Sequence, residues 1–329
     1  MILLSSLFLQ GCFFQDQNST IHHEDTRFMM DTIVTIETTG KSEDTLKSTT
    51  DKAFAAFQEI ADETDSYAPH GPKDLYAINE KAGTGPQKAA PHLLAILKSA
   101  ASHPHQELSL TLGPVIKIWN DNREKKTVPS RAEIADALTL TKGSRVRIDE
   151  TTGTLTLMPG TQIDLGAVAK GYAVEEAAKV LQKEGGFQTA LINAGGNIKV
   201  LGEKPDHKPW RIGIQDPKDP EKVLGTFRFL RYSHCNKRRL SALLRSKRRP
   251  LPSHPQSADG LAQPQCPFRY SRYPIGLLAD FYSTLLFVMT PKDAMTLVEN
   301  NPSLEMVYQD LDGTLHISSG LKDLFVQGQ

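Results

Sequence analysis

The stretch from Ile163 to Gly202, IDLGAVAKGYAVEEAAKVLQKEGGFQTALINAGGNIKVLG, decides the class of fold. Ile163–Leu165 reads as the end of a strand, and Gly166 opens a tight turn. A strong helix follows and stops at Gly185–Gly186, because glycine accepts the left-handed conformation at a helix end. Thr189 to Gly202 then reads as strand, turn and strand, with the turn on Gly195–Gly196. A helix between strand segments, followed at once by a hairpin, is not the repeating unit of a parallel βαβ array.

Working outward, the same mixture continues without repeats. Thr26 to Gly40 has the alternation and β-branched content of a single strand. Ser42 can cap a helix reaching Asp65, with Leu46, Ala53, Phe54, Phe57 and Ile60 near helical spacing. Ser66 to Asn79 is turn-rich and reads as a loop entering a short helix. Further helices are expected over His92–Ser102 and Ser130–Leu140, and LSLTLGPVIKIW mixes β-formers with a Gly-Pro break. Val146–Gly166 reads as a hairpin turning at Thr151–Gly153, and Trp210–Pro217 as a strand. LADFYSTLLFVM and DAMTLVENNP give two late helices, and Leu304–Ser318 a hairpin on Asp312–Gly313. The expected class is α+β, with mixed antiparallel sheets packed against helices.

A length of 329 residues leaves ample material for a core, and the formal net charge of zero argues against a general affinity for polyanions. No internal run approaches the roughly 20 apolar residues of a spanning helix. The beginning differs: MILLSSLFLQGCFF is a short apolar run closing on Gly11–Cys12 before a polar stretch. It resembles a bacterial signal with a lipobox, in which Cys12 is lipidated. That implies a soluble domain anchored by lipid to the inner membrane on its extracytoplasmic side, with residues 1–25 as signal and tether. Of three cysteines, Cys235 and Cys266 fall in or near an anomalous stretch discussed below, so no structural disulfide or cysteine metal site is expected.

Three segments can carry chemistry. In IDLGAVAKGYA, Gly166 and Gly171 let backbone approach a ligand before a helix whose N–H groups favour phosphate, and Lys170 adds a positive charge. An ordinary strand–turn–helix with an exposed lysine fits the spacing equally well. NAGGN, Asn193 to Asn197, is by itself most simply a type I′ hairpin turn. ADFYST puts Asp280 and Thr284 one helical turn apart, so a carboxylate and a hydroxyl share a face and suit Mg²⁺. Alone, the pair is more simply an aspartate near a helix N-terminus and a solvent-facing threonine.

Read in order, FMMDT, SLTLGPVIKIW, IDLGAVAKGYA, LINAGGN, WRIGIQDP and ADFYSTLLFV resemble the FAD:protein FMN transferases, a family of flavin-transferring lipoproteins. The resemblance spans residues 26–228 and 277 to about 325, within one transferase domain over 26–325. It implies Mg²⁺-dependent transfer of FMN from FAD to a Thr or Ser hydroxyl of an acceptor protein, such as an exported electron-transfer subunit, with AMP leaving. By the same resemblance Met30 and Tyr67 line the flavin or adenine site, and Asp164 and Lys170 bind FAD. Ser109, Leu110 and Thr111 fall where the family has an Asp-x-Thr that contacts FAD, so Ser109 is a departure. Ala167 would offer a carbonyl to Mg²⁺, with Asp280 and Thr284 completing the metal site. A carboxylate there, Asp280 being the candidate, could also take the hydroxyl proton.

One stretch does not fit: HCNKRRLSALLRSKRRPLPSHP, His234 to Pro255. The family carries a T-S-G-[DN]-Y-x-R-Y/F segment here, then H-H-I-x-[DN]-P-x-T-G, and Leu230 to about Gly276 has neither. Shifted forward by one base, with synonymous codon choices, the stretch reads IVTSGDYQRYFEV and continues KGVRYHHILNPQTGWPNPNARSVTV. Both missing motifs then appear in order. Two compensating frame changes bracketing roughly Arg231 to Pro274 are therefore expected. The basic cluster Lys237–Arg249 lacks the aromatic platforms of a single-strand nucleic-acid site, so no nucleic-acid partner is expected. If the residues stand as written, the alternative is a non-catalytic FAD-binding lipoprotein.

Overall fold

Ile21–Met29 (β1) and Thr32–Gly40 (β2) form a hairpin in which every residue of one strand faces one of the other, from Ile21↔Gly40 to Met29↔Thr32. The computed structural model describes residues 20–103, 109–204, 208–216, 219, 221–229, 233–238, 244–246, 249–251, 268–310 and 312–328. Cys12 and the lipobox-like start lie outside these residues, as does much of the anomalous stretch. The single strand expected over Thr26–Gly40 is thus two strands around Met30–Asp31. Ile21–Asp25, expected in the tether, belong to β1. Both turn residues have positive φ, 48° and 57°, which a two-residue primed turn requires and which neither side chain favours.

The remaining strands are β3 (Gln87–Lys88), β4 (Val146–Asp149), β5 (Thr154–Leu157), β6 (Phe187–Ala194), β7 (Asn197–Leu201), β8 (Trp210–Gln215), β9 (Val223–Phe229), β10 (Ser233–Arg238), β11 (Leu244–Ser246), β12 (Arg249–Leu251), β13 (Phe268–Tyr273), β14 (Glu305–Gln309), β15 (Leu315–Ile317) and β16 (Phe325–Gln327). The helices are α1 (Glu43–Thr64), α2 (Leu75–Glu80), α3 (Pro91–Ala101), α4 (Gly113–Glu124), α5 (Arg131–Leu138), α6 (Ala169–Glu184), α7 (Gly276–Val288) and α8 (Pro291–Glu299). The main sheet has eight strands in the order β1-β2-β6-β7-β10-β13-β14-β15, and its ladders are antiparallel. Small sheets β16-β9-β8 and β3-β5-β4 flank it. The fold is α+β, as the sequence implies.

Strand alternation divides the core. Val34 and Ile36 of β2 and Ala190, Ile192 and Ala194 of β6 pack against α1 and α6 on one face. On the other face Val200 and Val307 meet Trp210, Ile212 and Phe227. Phe54, Phe57 and Ile60 of α1 are essentially inaccessible, and burying side chains of this size contributes about 1.5–3 kcal/mol each. A third cluster gathers α2, α3, β5, residues 163–169, α7 and α8. Gly113–Pro114, a break by composition, starts α4, because proline suits a first helical turn whose N–H would be unpaired. Among the described residues no helix is long and apolar enough to cross a membrane.

Candidate active site

Ile163–Leu165 joins no sheet ladder, which corrects the expected strand end. The Asn79 side chain replaces a neighbouring strand: its Nδ2 donates to the Ile163 carbonyl at 2.9 Å and its Oδ1 accepts the Ile163 N–H at 2.8 Å. Asp164 N–H donates to the Leu110 carbonyl at 2.8 Å. Ile163 and Leu165 point into the core at 1% exposure each, leaving Asp164 half-buried between them. The Asp164 carboxylate accepts the Gly166 N–H at 3.0 Å, which tightens the turn into α6. Ala167 is buried in that turn. Lys170 is half-buried one turn later, its ammonium 3.4 Å from the Gly166 carbonyl oxygen.

The segment whose Leu110 carbonyl accepts the Asp164 N–H also carries Ser109 and Thr111. Ser109 Oγ lies 2.7 Å from Thr111 Oγ1 and accepts the Thr111 N–H at 3.2 Å, so a hydroxyl closes this turn. Thr111 is buried and its hydroxyl donates to the Thr141 carbonyl, which makes it a support of the turn. Leu110 and Ser109 remain half-buried at its surface. Tyr67 follows α1 with 63% exposure, and its hydroxyl accepts from Asn120 Nδ2 of α4 at 3.3 Å. Burial, then the Asp164 charge, raise the Tyr67 phenol above its ordinary value. Met30, at the tip of the β1–β2 hairpin, packs against two of the core clusters, as does Tyr172 of α6.

Asp280 and Thr284 are both fully buried on α7, so neither sits at a solvent-facing position. Asp280 Oδ2 accepts the Gly171 N–H at 3.1 Å, joining α7 to the first turn of α6. The Gly276 N–H donates to Glu175 Oε2 at 3.1 Å, and Lys199 pairs with the same carboxylate at 3.1 Å. Ser271 Oγ donates to the Ala279 carbonyl at 3.1 Å. Thr284 Oγ1 and its neighbour Ser283 Oγ are buried without a hydrogen-bond partner. Buried polar atoms are normally paired, so these two hydroxyls, three and four residues after a buried carboxylate, are candidates to meet a ligand. Ser283 was missed by the sequence reading; its position three residues after Asp280 is the signal that could have found it. Oxygen donors from Asp280, Thr284 and the Ala167 carbonyl fit Mg²⁺ chemically.

A second cluster joins three side chains that the sequence reading did not single out. Oxygens of Glu59 and Glu63 and a ring nitrogen of His92 lie within 4.8 Å of one another. Its parts have local tasks: Glu63 accepts the His92 backbone N–H at 3.1 Å, capping α3, whose own cap residue Ala90 offers no acceptor. His92 Nδ1 lies 3.0 Å from the Tyr172 hydroxyl. Burial first, then Glu176 and Glu63, push that phenol up to about 12, so it stays neutral.

The ApbE family matches residues 30–234, more than half of the chain. The chain belongs to the ApbE family. An FAD:protein FMN transferase of Klebsiella pneumoniae is 34% identical over 154 residues, which are 45% of this chain and 46% of that one. One from Escherichia coli is 26% identical over 58% of this chain and 56% of its own length. The chain thus spans about half the length of the curated relatives it matches. The crystal structure of an ApbE protein from Thermotoga maritima superposes with a TM-score of 0.81 at 20% identity, covering 92% of this chain and 99% of that one. The flavin transferase ApbE of Vibrio cholerae gives 0.76 at 21% identity, covering 93% and 99%. At these identities the structures establish the ApbE fold, and they agree with the family that the six motifs resembled.

Proposed function

We propose that this ApbE protein transfers FMN from FAD to a Thr or Ser hydroxyl of another protein. The observation that carries the reading is the buried Asp280 of α7, whose carboxylate accepts the Gly171 N–H in the first turn of α6, beside Lys170 and just after the Asp164 turn. The acceptor hydroxyl oxygen forms a bond to the FMN phosphorus, and the bond from that phosphorus to the bridging pyrophosphate oxygen breaks. AMP leaves with the bridging oxygen, and the product is a phosphoester-linked flavin. Such transfers depend mainly on positioning and on neutralising phosphate charge. Lys170 serves that end, and Tyr67, Met30 and Leu110 offer apolar surface to the flavin or adenine ring. Mg²⁺, held by Asp280, Thr284 and the Ala167 carbonyl, would supply further charge neutralisation. Asp280 is the candidate to take the hydroxyl proton.

The test is to give the purified protein FAD, Mg²⁺ and a Ser/Thr acceptor, and to measure AMP release and flavin linkage. Transfer that needs Mg²⁺ supports the reading. Retention of yellow colour without AMP supports the second reading, a non-catalytic FAD-binding protein. What favours that alternative is the end of the family match at residue 234, where the anomalous stretch begins.

A further inference from the structure

Asn79 is 8% exposed on α2, and the Ile163 peptide takes up both ends of its carboxamide at 2.8 and 2.9 Å. A primary amide carries one acceptor and one donor group in a plane, the complement of a peptide unit, so a single side chain satisfies both groups of Ile163. The next N–H, that of Asp164, is held by Leu110. Two consecutive peptides are therefore fixed by different parts of the chain immediately before Asp164.

The clamp also reaches the Tyr67 loop. Asp74 caps α2 through the Ala77 N–H at 2.7 Å and accepts the His70 and Gly71 N–H groups at 2.6 Å each. One short helix is thus tied at its start to the loop carrying Tyr67 and near its end to the segment carrying Asp164. We propose that Asn79 is a positioning residue for FAD, setting Asp164 relative to Tyr67 without touching the dinucleotide. The proposal rests on the transferase reading of this site. Its chemistry places the effect on FAD and leaves the protein acceptor alone.

The test compares wild type with Asn79→Ala and Asn79→Asp. Removing a buried, doubly bonded partner is expected to weaken FAD binding on the order of ten-fold or more, since the Ile163 groups lose their partner. FAD affinity is read by flavin fluorescence, alongside the KM values for FAD and acceptor. The expected split is a raised Kd and KM for FAD with kcat at saturating FAD and the acceptor KM unchanged. A purely structural role would instead lower the folded fraction and leave the Kd of folded protein as it was.

Asn79→Asp adds a pH signature. Ionised, it sets an oxygen against the Ile163 carbonyl; protonated, its hydroxyl donates there again. Its FAD affinity, relative to wild type at the same pH, should recover on acidification. Native-state hydrogen exchange at the Ile163 amide tests the clamp separately: protection should fall in Asn79→Ala. Unchanged FAD affinity in folded Asn79→Ala overturns the proposal. If wild type binds no FAD, the transferase reading fails, and the exchange result alone then decides whether the clamp exists. Where Asn79→Ala does not fold, the acid recovery of Asn79→Asp decides, and a flat profile sinks the idea.

Discussion

A Cβ on Gly171 would stand 2.2 Å from the Gly276 carbonyl oxygen and 2.7 Å from the Asp280 Cβ. The first of these is backbone of a packed helix and cannot yield as a flexible side-chain end could. The glycine therefore lets α6 and α7 touch, which brings the Gly171 N–H to Asp280; the sequence alone suggested a ligand's approach instead. Gly171→Ala is expected to cost about 1–3 kcal/mol as overpacking. It should also lower transfer more than that stability loss explains, because the Asp280 contact opens. Asp280→Ala is expected to abolish Mg²⁺-dependent transfer. Thermal denaturation with and without Mg²⁺, together with AMP release, separates these effects. Full Mg²⁺-dependent transfer by Asp280→Ala would remove Asp280 from both its metal and its proton roles.

Among the elements, the loop from Asp65 to Asp74 holds Tyr67 by charge-assisted bonds. Asp65 Oδ1 accepts the Tyr67 N–H at 2.7 Å, and Asp65 Oδ2 pairs with His70 Nε2 at 3.0 Å. That hydrogen bond to Asp65 is the main cause raising His70 above its ordinary value of 6.5. Burial opposes the shift at Asp65, but the Tyr67 and Ala68 N–H groups and His70 hold it below its ordinary 3.8. The His70 contribution is complete below pH 6.5 and is lost as pH rises through the raised folded value. The Asp65 contribution is present above 3.8 and is lost as pH falls through the depressed folded value. Exchange protection of the Tyr67 and Ala68 amides should therefore be greatest in mildly acidic solution, and His70→Ala should flatten the alkaline side. Both groups are partly exposed, so the effect is small and weakens with salt. The helix cap at Ser42 was legible because it stands before apolar periodicity, whereas the Asp74 cap sits in a stretch read only as a turn-rich loop before a short helix. The turn at Met30–Asp31 was not, since neither residue announces positive φ. Nor could local pattern show that Asn79, 84 residues away from Ile163, would take the place of a strand.

At the level of the whole molecule, β10 and β13 lie inside the main sheet, between β7 and β14. β13 ends at Tyr273 and α7, which carries Asp280 and Thr284, begins at Gly276. The segment between β9 and α7 thus supplies interior strands and delivers α7 to its place. The family match ends at residue 234, inside β10, while the motif on α7 fits unshifted beyond it. The α+β class, the order of elements and the residues of both the turn and α7 were legible because helical and alternating periods are local. The content of 231–274 was not, because it carries neither segment that the family resemblance calls for. We propose that two compensating frame changes bracket this segment. They preserve its length, so the sheet order can survive while the family's histidine pair and its SGDY turn are lost. The prediction compares this chain with one in which the segment reads IVTSGDYQRYFEV…HHILNPQTG. The restored protein should release AMP from FAD about tenfold faster than this chain, or more, with Mg²⁺ and acceptor present. Sequencing the gene across codons 225–285 shows whether the shift lies in the DNA itself. Equal AMP release by both proteins would sink the frame proposal, because the histidine pair would then be dispensable.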